Sequence, residues 1–297
     1  EILIFDRRAV RRHRQRAARL GPAEFLLEEA AEHLAARLDD VTRRFPRALV
    51  LGARGGVMAR ALADRGGIET LIEMEEAAGL FAAGRRCAAV AEAEALPFAP
   101  GAFDLVVSPL VLHWTNDLPG ALLQLRQALR PDGLLLAALF GGETLGELRR
   151  AFLEAELAAE GGASPRVSPM ADGRDLAGLL QRVGFALPVV DSDRLTVTYG
   201  DAFALMADLR AMGETNALRE RRRGFTRRAT LMRMAEIYRD LYGGADGRIS
   251  ATFEIVTLTA WAPHASQPKP LRPGSAAARL ADALGTAEKS AGEKAGR

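Results

Sequence analysis

Short apolar runs, each about the length of one strand, alternate along the first half of the chain with segments that have helical spacing. Runs of about four to eight apolar residues bounded by glycine or polar residues predict buried strands. The predicted strands cover residues 47–52, 70–73, 87–90, 103–108 and 134–140. Residues 59–63 and 118–129 have the spacing of helices. This alternation predicts a parallel sheet with helices on both faces.

The segments on either side of this core follow a different rhythm. Residues 23–44 are predicted to form a helix, and residues beyond 141 are predicted to form helices and late strands. The helices cover 144–160, 172–183, 201–212 and 226–242, and the strand pieces cover 186–190, 194–199 and 251–261. We therefore expect an N-terminal helical arm (1–46), an α/β domain (47–263) with a helical insertion at 201–250, and a Pro- and Ala-rich flexible tail (264–297). Within that tail, residues 275–297 are expected to be mobile.

Composition narrows the class of protein. Of the 297 residues, 48% are hydrophobic and 26% are charged, which excludes a chain that is disordered throughout. No run approaches the roughly 18 apolar residues of a membrane helix, so no transmembrane segment is expected. The single cysteine, Cys87, excludes internal disulfides and a cysteine-based zinc cluster, and it favours a reducing compartment. The histidines lie far apart without His-x-x-x-His spacing, so no metal site is predicted.

Positive charge is concentrated in two arginine runs, although the net charge is only +2. The runs occupy residues 7–19 and 219–228. Proteins that bind single-stranded nucleic acid usually interleave arginines with aromatic residues that stack on bases, and only Phe225 interrupts the second run. A solvated basic face is therefore favoured over nucleic-acid binding. A docking surface for an acidic protein partner stays open as a second interpretation.

Candidate ligand-binding residues follow the predicted strands, at the edge where open α/β sheets bind ligands. The first strand ends in a turn that contains Gly52, Ala53 and Arg54 and lacks the P-loop pattern. Glu73, followed by Met74, ends the second predicted strand, where a carboxylate accepts the hydroxyls of a ribose. The alternative interpretations are a plain strand-to-helix turn and a solvated acid at a helix start.

Two further groups follow the third and fourth predicted strands. Glu92 is placed to accept a hydrogen bond from the exocyclic amine of an adenine, and the backbone at Ala93 to donate to a ring nitrogen. Ser108, His113 and Trp114 are expected to face the ligand and the substrate opening. His113 and Trp114 are the candidate catalytic residues, because an imidazole can act as a base near neutral pH. The alternative is a packed histidine and a core tryptophan.

Several stretches carry a family resemblance beyond these single residues. Glu-Ala-Glu-Ala-Leu-Pro-Phe at 92–98, Phe-Asp at 103–104, Leu-His-Trp at 112–114 and Leu-Arg-Pro-Asp-Gly at 129–133 follow the order of class I S-adenosylmethionine-dependent methyltransferases. They resemble one branch, which holds the malonyl-carrier-protein methyltransferases of biotin synthesis and a family of respiratory complex I assembly factors. Longer stretches resemble the assembly factors more. These are residues 4–7, 112–119, 140–149, 164–169, 205–214 and 264–268.

This resemblance implies a class I methyltransferase, Rossmann-like α/β fold. Its sheet would have seven mainly parallel strands, with one antiparallel strand near residues 251–261. It also implies S-adenosylmethionine as cofactor and a protein substrate, with a complex I subunit as the candidate. The mitochondrial members of the assembly-factor family are arginine hydroxylases, so hydroxylation is implied as well. The expected location is the cytoplasm of a bacterium or the mitochondrial matrix of a eukaryote.

Two positions depart from the family pattern. Val50 stands where an acid usually contacts the methionine part of the cofactor, and Arg54 replaces the second glycine of the motif. Arg54 could pair with the cofactor's carboxylate or fill its place. The leading hypothesis is a SAM-dependent enzyme that modifies a protein side chain in complex I assembly. The alternatives are a malonyl-carrier-protein O-methyltransferase and a non-catalytic assembly chaperone with a degenerate cofactor site.

Overall fold

The computed structural model describes residues 3–21, 23–82, 87–268, 282 and 284–287. The chain divides into two units, residues 1–263 and residues 264–297. The sheet, the helices and the sites discussed below belong to the first unit. The mobile tail predicted for residues 275–297 lies outside the described residues, apart from residues 282 and 284–287.

A seven-stranded sheet forms the centre of the first unit. Its strand order is β3-β2-β1-β4-β5-β7-β6. Strands β1 to β5 are parallel to one another, whereas β7 runs antiparallel to both β5 and β6. The bounds are β1 Arg47–Leu51, β2 Thr70–Glu75, β3 Ala88–Val90, β4 Phe103–Pro109, β5 Leu129–Phe140, β6 Ala186–Tyr199 and β7 Ile249–Trp261. The predicted class I methyltransferase sheet is therefore confirmed.

Eight α-helices surround this sheet within the described residues. They are α1 Arg7–Leu20, α2 Phe25–Ala36, α3 Val57–Ala61, α4 Leu118–Ala128, α5 Gly146–Glu160, α6 Gly173–Arg182, α7 Ala202–Met212 and α8 Arg228–Tyr242. Acidic caps fix several of their starts: Asp6 accepts a hydrogen bond from the backbone N–H of Ala9, and Asp117 accepts one from Gly120 at 2.8 Å. Asp117 thereby fixes the start of α4, directly after the loop that carries Trp114.

The apolar side chains form one core on each face of the sheet and a smaller third cluster. Helices α2, α3, α5, α7 and α8 contribute to one core, and α4 and α6 contribute to the other. The third cluster joins the N-terminal arm to the segment after α7. It consists of Phe5, Ala9, Val10, Trp114, Ala217 and Leu218. Because Trp114 belongs to this cluster, the arm is packed against the carboxyl edge of the sheet.

Three differences from the predicted strand boundaries change the description of the sheet. Strand β2 continues two residues past the predicted end at Glu73 and stops at Glu75. Strand β5 begins at Leu129 rather than at residue 134, because Leu129 pairs with Phe103 on β4. The two predicted pieces at 186–190 and 194–199 form one continuous strand, β6, because β7 pairs with it through the intervening residues. In the described part of the chain, no helix is long and apolar enough to cross a bilayer.

Candidate active site

The turn after β1 brings three parts of the sheet edge together. The backbone N–H of Gly52 donates a 2.8 Å hydrogen bond to the carbonyl oxygen of Met74, at the end of β2. Gly52 has a φ of +93°, and a Cβ built there would lie 2.2 Å from Cγ2 of Val111 in the loop after β4. Only glycine fits both conditions. The predicted turn residues Gly52, Ala53 and Arg54 therefore lie beside β2 and the loop after β4.

The carboxylate at the end of β2 belongs to Glu75. Glu75 is 2% exposed, and its Oε1 accepts a 2.9 Å hydrogen bond from the backbone N–H of Arg54. Burial raises the pKa of Glu75, and the charge of Arg14 partly opposes that rise. Glu73, the residue predicted from sequence, is also buried but lies inside the strand, paired with Val50 on β1. The sequence pattern missed Glu75 because it ended the strand two residues early.

Three side chains meet at Glu214, the last residue of the family-resembling stretch 205–214, which the sequence did not single out as a site residue. Arg54 donates from Nη2 to Oε1 of Glu214 at 2.5 Å. Trp114 donates from Nε1 to Oε2 at 2.7 Å, and His113 Nε2 lies 3.1 Å from the same oxygen. Arg54 Nη2 also contacts the carbonyl oxygen of Leu110 at 3.3 Å. The predicted residues Arg54, His113 and Trp114 are thus held together by one buried carboxylate.

Electrostatics fixes the protonation states in this network. Burial acts to raise the pKa of Glu214, but the charge of Arg54 and the contact with His113 outweigh it and hold that pKa below its usual range. Burial lowers the pKa of His113, so its imidazole is neutral near pH 7. An ionised carboxylate only accepts hydrogen bonds, so Nε2 of His113 carries the proton. Its Nδ1 is then a buried acceptor with no hydrogen-bond partner among the described residues.

Helix α1 covers this edge with two arginines. Arg7 forms an ion pair with Glu76 and donates from Nη1 to the carbonyl oxygen of Trp114 at 2.7 Å. Arg14 is 3% exposed, and its Nη1 lies 3.7 Å from Oε1 of Glu76. The first arginine run was interpreted as a solvated face. The structure shows that the helix has two different faces. Arg7 and Arg14 face inwards, whereas Arg8, Arg11 and Arg12 are partly or fully exposed.

The remaining predicted residues occupy the same edge. Glu92 is partly exposed, and its Oε2 lies 3.9 Å from Nε of Arg7. Ala93 is buried beside it. Glu94 accepts hydrogen bonds from the backbone N–H groups of Asn116 and Asp117, which joins this loop to the loop that carries Trp114. Ser108 is fully buried on β4, and its hydroxyl has no hydrogen-bond partner within the part of the chain that is described.

Two cavities lie on either side of the contact between Arg54 and Glu214. A smaller cavity of about 180 Å³ is lined by Arg54, Gly55, Arg14 and Glu24. A larger cavity of about 320 Å³ is lined by Glu214 and Trp114. Its floor includes the apolar residues Phe140, Leu148, Phe152, Met206, Leu209 and Phe253, and its wall also carries the arginines Arg166, Arg210, Arg221 and Arg222. The ion pair therefore separates the cavity at the glycine turn from a larger chamber that has both apolar and basic walls.

The second arginine run is partly used inside the protein. Arg221 pairs with Asp6 at 2.9 Å, and Arg222 pairs with Glu160. Arg219 and Arg223 are exposed. Two of the six arginines in this run thus already neutralise acids of the same chain. Among the described residues, no group of three or more histidine, cysteine, aspartate or glutamate side chains is arranged to hold a metal ion.

Comparison with known proteins identifies the fold class of this architecture. Residues 49–137 match the family model described as a methyltransferase domain. The YcgJ protein of Bacillus subtilis aligns with a TM-score of 0.52 at 14% identity, covering 78% of this chain and 98% of that chain, which shows a shared fold. A proposed methyltransferase from Bacillus halodurans also gives a TM-score of 0.52 at 14% identity, over 77% of this chain and 99% of the other. The protein is therefore a methyltransferase-like enzyme of class I fold.

Sequence relatives define the branch. Arginine-hydroxylase NDUFAF5 of Danio rerio is 39% identical over 288 residues, covering 94% of this chain and 89% of that protein. The Homo sapiens protein of the same name is 40% identical over 281 residues, covering 92% and 81%. A malonyl-[acyl-carrier protein] O-methyltransferase of Xylella fastidiosa is 36% identical over 270 residues, covering 88% and 89%. The chain belongs to the family of these arginine-hydroxylases, with the O-methyltransferases as relatives.

The residues at the sheet edge suit the cofactor that this family implies, S-adenosylmethionine. Gly52 lets the turn after β1 pack closely against Val111, and Glu75 presents a buried carboxylate at the end of β2. Carboxylates at this position bind ribose hydroxyls in related nucleotide-binding folds. The hydroxyl of Ser108 and the guanidinium of Arg14 are buried polar groups that lack hydrogen-bond partners among the described residues, as expected where a polar ligand binds.

Proposed function

We propose that this protein is an S-adenosylmethionine-binding enzyme that modifies an arginine side chain of a protein during assembly of respiratory complex I. The family relationship supports the enzyme class, and the larger cavity supports the substrate. Its apolar floor suits the aliphatic stem of an arginine, and Glu214 is an ionised carboxylate in its wall. A guanidinium binds best to a carboxylate held in this kind of desolvated setting. The ionised carboxylate of Glu214 beside the apolar floor of this chamber is the observation that carries the proposal.

The adenosine end of the cofactor has candidate partners on this chain. Glu75 would accept the ribose hydroxyls, and Glu92 would accept the exocyclic amine of the adenine, with Ala93 beside it. Glu73 and Met74 would support Glu75 from within β2 rather than contact the ribose. When bound, S-adenosylmethionine supplies an electrophilic methyl group on a sulfonium sulfur.

The protein's own residues would position the substrate and exclude water. Trp114 and Glu214 line the substrate chamber, and Glu214 holds His113 in one orientation. The free Nδ1 of His113 can accept a proton at that buried position. Positioning of this kind is a large part of the rate enhancement in group transfer. The proposed site of action is the bacterial cytoplasm, or the mitochondrial matrix in a eukaryote.

Mass spectrometry of complex I tests this function. The complex would be purified from cells that lack the gene and from cells complemented with the normal chain. Hydroxylation would insert one atom of dioxygen into a C–H bond, with two electrons from an external reductant and the second oxygen atom leaving as water. We therefore expect one arginine-containing peptide to gain the mass of one oxygen atom in the complemented cells only. A gain of one methylene group would instead identify a protein methyltransferase. Complementation with Glu214→Gln should lose the modification, whereas the exposed control Glu220→Gln should keep it.

Two other candidate functions are distinguished by separate experiments. The O-methyltransferase relatives make methylation of a malonyl carrier protein the second candidate. Arginines in the chamber wall, such as Arg166 and Arg210, would suit a malonyl carboxylate, but the higher identity to the arginine-hydroxylases places this function second. Transfer of radiolabelled methyl groups to a malonyl carrier protein would establish it. The third candidate is an assembly chaperone without catalysis, favoured by Val50 and Arg54. Calorimetry showing no S-adenosylmethionine binding to the folded protein would support the chaperone.

A further inference from the structure

Arg14 is a buried cation whose hydrogen-bonding capacity is not used inside the protein. Its side chain is 2% exposed. None of its three guanidinium nitrogens has a hydrogen-bond partner among the described residues, and its ion pair with Glu76 is long, at 3.7 Å. A guanidinium has five N–H donors, and burying them without acceptors is costly. A buried arginine in this condition is prepared to bind an anion from outside the chain.

The smaller cavity gives Arg14 a place to bind that anion. The cavity holds about 180 Å³ and lies at the glycine turn, between α1 and Gly55. Arg54 also lines it, but Nη2 of Arg54 is occupied by Glu214 and by the carbonyl oxygen of Leu110. Nε of Arg54 also lacks a partner among the described residues, but Arg14 has all three of its guanidinium nitrogens in that condition. Complete pockets for small ligands usually measure about 300–1,000 Å³, so this cavity would hold one end of a ligand.

A carboxylate lines the same cavity. Oε1 of Glu24 lies 3.5 Å from the position that a Cβ on Gly55 would take. Its other oxygen is 3.7 Å from Nη2 of Arg60, a residue that is mostly exposed. The side chain of Glu24 is partly buried, at 27% exposure. The cavity thus has a cation and an anion in its wall, both supplied by the N-terminal arm.

We infer that this cavity binds the α-amino-acid end of S-adenosylmethionine, with Arg14 holding the carboxylate and Glu24 holding the ammonium group. A guanidinium can bind a carboxylate through two parallel hydrogen bonds. The arrangement explains how β1 can carry Val50 where the family usually has an acid. Glu24 would supply that carboxylate from the N-terminal arm. This inference rests on the proposed binding of S-adenosylmethionine and assigns its amino-acid end to the arm.

Calorimetric titration of the full chain with two ligands tests the assignment. S-adenosylmethionine has the amino-acid end on a sulfonium sulfur, whereas 5′-methylthioadenosine has the same adenosine with a neutral thioether and no amino-acid end. Arg14→Met should weaken S-adenosylmethionine binding by about 10- to 100-fold, the usual effect of losing a hydrogen bond to a charged group. It should leave 5′-methylthioadenosine binding unchanged. Glu24→Gln should act in the same direction on the same ligand.

Arg19→Met is the matched control, because Arg19 is an exposed arginine on the same helix and its loss removes the same charge. It should bind both ligands as the normal chain does. Equal S-adenosylmethionine affinity in Arg14→Met and Arg19→Met would overturn the inference, as would equal weakening of both ligands by Arg14→Met. If the normal, folded chain binds neither ligand, the proposed cofactor itself is wrong. Unchanged 5′-methylthioadenosine binding also shows that the variant is folded.

Discussion

Glu214 joins side chains that are far apart in sequence, and its removal should be costly. It is 6% exposed and contacts Arg54, His113 and Trp114. Glu214→Ala would leave the guanidinium of Arg54 buried without its counter-charge. Breaking a buried pair in this way costs about 3–5 kcal/mol. We expect urea denaturation to show a loss of that size, against a change within about 0.5 kcal/mol for the exposed control Glu220→Ala. A small loss of stability for Glu214→Ala would mean that the contacts of Glu214 with Arg54, His113 and Trp114 do not form in solution.

The neutral state of His113 predicts a pH dependence of stability. Burial lowers the pKa of His113 in the folded protein, so the unfolded chain binds a proton first as the pH falls. The stabilisation is complete above the unfolded pKa of about 6.5 and is lost below it, towards the folded pKa, by up to about 1.4 kcal/mol per pH unit. His13 acts in the same direction, because burial also lowers its pKa.

Comparison with a variant isolates the contribution of His113. The free energy of unfolding would be measured at pH 7.5 and at pH 5.5 for the normal chain and for His113→Gln. We expect the normal chain to lose more stability between these two conditions than the variant does. The lowered pKa of Glu214 does not interfere, because that carboxylate stays ionised over the whole interval. Equal losses in both proteins would contradict a neutral, buried His113.

The sequence located most of these residues but not the one that connects them. The turn at Gly52, the loop at His113 and Trp114, and Glu92 were found because they follow apolar runs that identify strands. Glu214 lies 101 residues beyond His113, and no local pattern marks it. The replacement of a motif glycine by Arg54 was the available signal, because a buried arginine requires a carboxylate partner. Only the three-dimensional structure shows which one.

Among the elements, α1 depends on one aromatic contact for its position on the sheet edge. Phe5 packs edge-on against Trp114 with ring centroids 5.2 Å apart, and its backbone N–H donates to Asn116. Phe5→Ala should weaken the packing of the arm on the sheet by about 3–5 kcal/mol of free energy. The arm should then detach locally, and trypsin should cleave at the arginines of α1 faster while the sheet stays protected.

The fully exposed Phe225 provides the comparison for this experiment. Phe225→Ala should leave the rate of cleavage in α1 unchanged. If Phe5→Ala and Phe225→Ala were cleaved equally slowly, the arm would be held by contacts other than this cluster. If the whole chain were digested at the same rate as the arm, the arm and the sheet would unfold together.

Helices and strands were predictable to the extent that their patterns were local. Helix α4 was predicted to within one residue at its end, because its apolar spacing and the Pro-Asp-Gly after it are both visible in sequence. Strand β6 was predicted in two pieces because it is an edge strand with exposed polar residues at 191–193. Its continuity comes from its pairing with β7, which begins 50 residues after the end of β6 (249 minus 199). Pairing over such distances leaves no mark in a local pattern.

At the scale of the whole molecule, β7 completes the sheet. It pairs with β5 on one side and with β6 on the other, and within the described residues β6 has no other strand neighbour. A chain that ends at Arg248 lacks β7 entirely and would expose the apolar edge of β5. We expect this truncated chain to lose the cooperative urea transition of the normal chain, followed by circular dichroism. A truncated chain that kept the same cooperative transition would show that the first five strands fold without β7.

The position of β7 also has a consequence for the way the protein is made. A chain leaves the ribosome from its N-terminus, and domains generally fold as they emerge. Strand β6 therefore emerges before β7, its one pairing partner among the described residues, and the edge of β5 stays unpaired until β7 appears. Unpaired strand edges are sites of aggregation during synthesis. The nascent protein is thus most vulnerable between the appearance of Ala186 and that of Trp261, an interval in which slower translation would prolong its dependence on chaperones.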